Sequence, residues 1–303
     1  MISHAVAVKI FGRHVHSDHG EISPSLDRLM GPDFSGYLKH RDAHRKILES
    51  LKFEHLSIQA EDGIKLAGYY YANPLNSKRT AVLVHGHSSN GFEGYAAVGL
   101  KYIDHGYNIL LVDNRACGNS EGKWCTFGIL ERSDTLKWVE YLVQRDPDCS
   151  IVLHGTSLGG ACVCMMMDLN LPSQVKAAVS DCAFSNIRKQ LEYMIRVTAH
   201  IPPGLILPEV LAWFHHWTDL SVDSCSPLES VRQSRIPMMF IHGTLDHYVP
   251  MENAKVLYEA CPTRKQLLLI EGAGHAASHY IGKETYELEL LQFLNQTLKG
   301  EQL

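Results

Sequence analysis

The sequence predicts an α/β fold: about eight mostly parallel strands in one sheet, flanked by helices and carrying a helical cap insertion. Three observations carry that expectation. Short runs rich in Val, Ile and Leu recur along the 303 residues and end in Gly, Asp or His, as strands buried on both faces of a parallel sheet do. The segments between them show helical spacing, and alternation of strand with helix is the mark of this class. A hairpin signal stands ahead of the first run.

Residues 1–50 read as helical in part, with "GYLKHRDAHRKILESL" the clearest piece, and are expected to pack on the sheet as an extension. "LSIQAEDGIKLAGYYYA" gives two β-runs around Glu61-Asp62-Gly63, a polar turn with glycine where positive φ is easiest. Six further runs, "TAVLVHG", "NILLVDN", "SIVLHG", "VKAAVSD", "PMMFIHG" and "QLLLIEG", supply the parallel strands. Between them, "ILERSDTLKWVEYLVQR" sets Leu130, Trp138 and Leu142 on one helical stripe. From Phe184 to Arg235 the alternation lapses, and "MIRVTAHIPPGLILPEVLAWFHHW" crowds apolar residues around Pro202, Pro203 and Pro208. Proline breaks in a helical insertion suit a cap over the C-terminal edge of the sheet. The expected division is an N-terminal helical extension over 1–50, an α/β core over 51–183 and 236–303, and a cap over 184–235.

Composition narrows the function. A content of 45% hydrophobic and 20% charged residues is that of an ordinary globular protein. The net charge of -5 and the lack of clustered Lys and Arg leave no basic face for a phosphate backbone, so no nucleic-acid partner is expected. "MISHAVAVKIF" is apolar for only about ten residues without a basic leader, too short to span a bilayer and a poor signal peptide. A cytoplasmic protein without a transmembrane segment is expected. The eight cysteines form no CxxC pair, and several lie in strand or helix patterns such as "ACVCMMM". They read as buried thiols rather than as disulfides or structural zinc ligands, with Cys117 and Cys125, which flank a loop, as candidate exceptions.

The chemistry gathers at "IVLHGTSLGGA", where a strand stops at Ser157 between Gly155 and Gly159. A serine hydroxyl is a weak nucleophile that needs a base within reach and an exposed oxygen. A sharp strand-to-helix turn exposes it, and side chains two before and two after would collide unless they were glycine. The helix that follows presents free N–H groups to an oxyanion. Asp246 in "PMMFIHGTLDHYVP" and His275 in "LLLIEGAGHAAS" both follow strand ends, at the sheet edge that carries Ser157. His275 would take the serine proton and return it to the leaving group, while Asp246 would fix its tautomer.

On the motifs "VHGHSS", "DNRACGNSEG", "GTSLGG", "IHGTLDHYVP" and "GAGH", the chain from about Leu56 to Leu298 resembles the serine-type α/β-hydrolases. Among them it is most like bacterial esterase-like members with an N-terminal extension and a helical cap. The resemblance implies an oxyanion hole from the backbone N–H groups of His87 and Leu158, and a structural role for Asp113, Arg115, Gly118 and Ser120 in a loop beside the site. It also offers Asp181 as a second acid, behind Asp246. The implied reaction is hydrolysis of a small-molecule carboxylic ester through an acyl-enzyme on Ser157, with no cofactor or metal. The apolar cap residues Leu205, Leu211, Trp213, Phe214 and Trp217 suggest an acyl or aryl pocket.

Other readings compete. "HVHSDHG", His14 to Gly20, has the His-x-His-x-Asp-His pattern of metallo-β-lactamase-type hydrolases, but the strand order downstream fits the serine enzymes. His215-His216 reads as packing or surface. A non-catalytic binding protein on this fold has no need of Ser157, Asp246 and His275 together. Peptidase, amidase or acyltransferase chemistry on the same residues stays open, since fold analogy does not choose the acceptor. The absence of "HGGG" sets aside the hormone-sensitive-lipase branch, and Ser157 excludes an aspartate nucleophile.

Overall fold

The structure, a computed structural model, describes residues 2–13 and 24–298; the "HVHSDHG" segment lies outside them. Helices α1 (Ile2–Phe11), α2 (Pro24–Met30) and α3 (Phe34–Glu49) come first, followed by the hairpin β1 (Glu54–Gln59) and β2 (Lys65–Tyr71). Then come β3 (Arg79–Val84), α4 (Gly91–Gly94), α5 (Ala96–Asp104), β4 (Asn108–Val112), α6 (Glu131–Arg145), β5 (Ser150–Thr156), α7 (Leu158–Met165) and β6 (Val175–Asp181). Helices α8 (Ile187–Met194), α9 (Leu207–Thr218) and α10 (Pro227–Val231) intervene before β7 (Met238–Gly243), α11 (Glu252–Ala260), β8 (Lys265–Ile270) and α12 (Ser278–Thr297).

The eight strands form one sheet in the order β1-β2-β4-β3-β5-β6-β7-β8. The hairpin pairs antiparallel, β2 pairs antiparallel with β4, and every other neighbour is parallel. The expected fold class is therefore observed, and all six apolar runs are strands. Alternation within a strand divides the core in two: Val82 and Val84 face a layer containing Trp138, Phe214 and Val231, while Ala81 and Leu83 face one containing Leu48, Tyr102 and Phe293. Side chains of period two on a sheet covered on both faces require this.

The prolines act differently from simple breaks. Pro208 stands in the first turn of α9 and Pro203 opens a short 3-10 turn, Pro203–Leu205; at a helix start the missing N–H costs nothing. Helix α9 packs against α1. Phe11 lies 4.6 Å from Phe214, and Trp217 stacks on Trp124 at 4.0 Å. All eight cysteines are unpaired and buried, Cys117 and Cys125 included. Among the described residues no helix is long and apolar enough to cross a membrane.

Candidate active site

Strand β5 runs into α7 through Ser157, whose backbone takes φ 57° and ψ -116°. That conformation is costly for a residue with a side chain, so the surroundings must enforce it. They do so by close approach. A Cβ on Gly155 would lie 2.0 Å from the Gly159 carbonyl oxygen, and one on Gly159 only 1.8 Å from that of Val84. The chain is pinned further by the Ser157 N–H donating to the Asp181 carbonyl at 2.8 Å. A tight elbow results, with the hydroxyl at the start of α7.

Loops after β7 and β8 bring the other two groups to it. His275 Nε2 lies 2.8 Å from Ser157 Oγ, and His275 Nδ1 lies 2.7 Å from Asp246 Oδ2. An ionised carboxylate only accepts, so Nδ1–H donates to Asp246 and Nε2 is left to accept from the serine hydroxyl. Asp246 Oδ1 accepts from the N–H groups of Tyr248 and Val249 at 2.9 and 2.8 Å. Burial would raise the Asp246 carboxyl, but the charge of His275 and hydrogen bonds from His242 and His275 hold it down at about 2. The structure thus brings together Ser157, His275 and Asp246 from three strand ends far apart in sequence. Asp181, the other acid considered, is instead bonded to Tyr286, whose hydroxyl donates to Oδ2 at 3.1 Å.

Leu158 follows the serine directly, and His87 lies in the loop after β3. Leu158 opens α7, so its N–H has no intrahelical acceptor. The loop carrying His87 touches Ser157 closely: a Cβ on Gly86 would lie 3.3 Å from Ser157 Cβ. The His87 ring is held by the N-terminal helix, with Nε2 donating to the Ile10 carbonyl at 2.7 Å and Nδ1 accepting from Ser88 Oγ at 2.9 Å. Beside the site, Asp113 accepts from Gly91 and Asn119 N–H groups and from Tyr69. Ser120 donates to the Asp113 carbonyl, and Arg115 is bidentate to Asp134. A Cβ on Gly118 would meet Asp113 Oδ2 at 2.3 Å. These contacts order the loop.

The cap residues expected to form an acyl pocket are placed differently. Phe214 is fully buried against Phe11, and Trp217 lies on Trp124. Trp213 meets His4 edge-on and stacks on Trp217, Leu211 packs on the core, and Leu205 is 71% exposed. Trp213, Phe214 and Trp217 meet His4 and Phe11 of α1, a partner whose position the sequence did not reveal. The aromatic ring beside His87 is instead Phe127, at 5.4 Å, which in turn meets Phe11. On the other side of the triad, the His275 N–H donates to the Met30 carbonyl at 2.6 Å. The contributions of Ile10, Phe11 and Met30 carry no motif that could have flagged them.

Among the described residues, ligand atoms of Cys182, Asp246 and His275 lie within 4.8 Å of one another. The carboxylate and imidazole are bonded to each other, and burial pushes the thiol well above its usual range, so this set is a poor cradle for a metal. His215 on α9 turns Nδ1 toward the Leu220 carbonyl.

The prolyl oligopeptidase family model matches residues 98–301. The uncharacterized protein YqkD of Bacillus subtilis is 27% identical over 234 residues, covering 77% of this chain and 76% of its own. The esterase Pf2001 of Pyrococcus furiosus has a similar structure, with a TM-score of 0.67 at 24% identity over 82% of this chain and 92% of the other. The acylaminoacyl peptidase of Pyrococcus horikoshii aligns with a TM-score of 0.62 at 18% identity, over 85% of this chain and 44% of that longer one.

Proposed function

The chain belongs to the prolyl oligopeptidase family of α/β-hydrolases, and on that premise we propose that it is a serine hydrolase that cleaves carboxylic esters through an acyl-enzyme on Ser157. The observation that supports this most is the continuous hydrogen-bond line from Ser157 Oγ through His275 to Asp246, at 2.8 and 2.7 Å, on a strained elbow. In the proposed cycle His275 takes the serine proton as Oγ attacks the carbonyl carbon. Backbone N–H groups of His87 and Leu158 receive the oxyanion, and His275 then protonates the leaving oxygen. Water, activated by the same imidazole, releases the acid. Asp246 stays ionised throughout, consistent with its depressed proton affinity. The eight unpaired thiols favour a reducing, cytoplasmic setting.

Amide cleavage is the second reading, favoured by the peptidase family to which the chain belongs. An apolar aromatic environment beside His87, from Phe127 and Phe11, speaks for an acyl or aryl ester instead. A fluorophosphonate probe should label wild-type protein on Ser157 and leave Ser157→Ala unlabelled. A panel of p-nitrophenyl esters set against aminoacyl amides then separates the two readings; turnover of amides alone overturns the ester assignment.

A further inference from the structure

Ser157 stands after β5, and in the sheet β5 has β3 on one side and β6 on the other. The loops that follow those two strands close on the serine: a Cβ on Gly86 would lie 3.3 Å from Ser157 Cβ, and the Asp181 carbonyl receives the Ser157 N–H at 2.8 Å. One aromatic ring spans both loops. Phe127 lies 5.4 Å from the His87 ring in the loop after β3 and 6.2 Å from Phe184 in the loop after β6. Phe11 of α1 adds a third ring contact, edge-on at 5.4 Å. All three phenylalanines are buried, so the ring of Phe127 is close-packed where it stands.

The backbone that presents this ring is strained. Phe127 has φ 54°, in the left-handed region that residues with a side chain seldom enter, and Gly128 follows at φ 96°. A buried carboxyl enforces both. Glu131, in the first turn of α6, accepts from the Thr126 N–H at 2.7 Å, from the Thr126 hydroxyl at 2.5 Å and from the Gly128 N–H at 2.7 Å, so its bonds bracket Phe127. Other aromatic rings of the same core layer, Trp138 on α6 and Phe214 on α9, sit on helices and have no need of such support. Backbone strain that is held by dedicated partners gathers at functional positions.

Resting on the serine-hydrolase reading above, we propose that Phe127 is a specificity-determining residue: its ring walls the acyl side of the site and restricts substrates to esters of short acyl groups, with Glu131 as the residue that positions it. Sheet order assigns the sides. The acid and the base come from the loops after β7 and β8, at one end of the sheet, so the leaving oxygen that His275 protonates lies toward that end, near the Tyr248 ring 4.9 Å from His275. The oxyanion points to the N–H groups of His87 and Leu158. The acyl chain is left toward β3, where Phe127 stands beside His87. A short chain fits against the ring. Each further methylene has to displace an aromatic ring packed on α1 and braced through Glu131, and such overpacking costs more than the burial of a methylene returns.

The p-nitrophenyl esters of acetate, butyrate and octanoate test the wall directly. Wild-type kcat/KM should be highest for acetate or butyrate and fall roughly tenfold or more at octanoate. Phe127→Ala should raise the octanoate-to-acetate ratio by about 10- to 100-fold. Glu131→Gln sets an amide donor against N–H groups that need an acceptor, and should move the ratio in the same direction by less. Trp138→Phe, in the same layer but packed on Gly68 of β2, should lower stability and leave the ratio at the wild-type value; a merely structural Phe127 would behave in the same way. A wild-type protein that prefers octanoate, or an unchanged ratio in Phe127→Ala, overturns the proposal. Should Phe127→Ala not fold, Phe127→Leu replaces it, with a smaller rise expected and an unmoved ratio overturning the wall. A wild-type protein that is never labelled on Ser157 by the fluorophosphonate, or that turns over amides alone, overturns the ester reading and this proposal with it. Normal labelling and ester turnover with an unmoved ratio overturns the role of Phe127 alone.

Discussion

Asp246 and Asp181 are neighbouring carboxyls whose surroundings pull them in opposite directions, and each makes a prediction. Asp246, held near 2, contributes stability that is complete above the ordinary carboxyl value of 3.8 and is lost as pH falls through about 2. Its amide variant, Asp246→Asn, leaves the His275 tautomer unfixed; on the ester reading kcat/KM should fall about 10³- to 10⁴-fold with the fold intact by circular dichroism. Asp181 has the opposite sign. Its value is raised to about 6, so its protonated form suits the fold and the associated stability is lost as pH rises through about 6. Asp181→Asn keeps an acceptor for Tyr286, so it should match wild type near pH 4 and exceed it at pH 8 by on the order of 1–3 kcal/mol in urea unfolding. The triad residues were legible in the sequence because each lies in a motif just after a strand. The placement of His242 was not, since a histidine within an apolar run gives no hint that its ring meets Asp246.

At the scale of single elements, the elbow and the N-terminal helix decide most. A methyl group on Gly159 would have to displace the backbone of β3, and Gly159→Ala should cost about 3 kcal/mol or more. Gly204→Ala, where an added Cβ meets nothing within 4 Å, serves as the control and should stay within about 0.5 kcal/mol of wild type. Helix α1 contributes Phe11, fully buried between Phe127 at 5.4 Å and Phe214 at 4.6 Å. Phe11→Ala should therefore cost about 3–5 kcal/mol, read as a lowered denaturation midpoint at unchanged m. Strand runs and the elbow could be read locally because backbone sterics and side-chain period are local rules. The partner of α9 could not: nothing in "LAWFHHW" says that its aromatic rings meet a helix some two hundred residues upstream.

For the whole molecule, the N-terminal segment meets both flanks of the site. The end of α1 receives the His87 imidazole through the Ile10 carbonyl, and the end of α2 receives the His275 N–H through Met30. Arg13 adds bonds to the carbonyls of Ser120 and Gly122, tying α1 to the loop that Asp113 orders. A chain lacking residues 1–13 should unfold at lower temperature by calorimetry and bind a hydrophobic dye through the uncovered faces of Phe214 and Trp217; an unchanged transition would show that α1 is not an integral layer. By itself the sequence determined the sheet, the glycine-fenced serine and the motifs that carry Asp246 and His275, because periodicity, glycine sterics and loop motifs act over a few residues. Only the tertiary structure decided which helix covers the cap, what holds His87, and that a second imidazole stands behind Asp246, because those contacts join segments whose spacing along the chain carries no local signal.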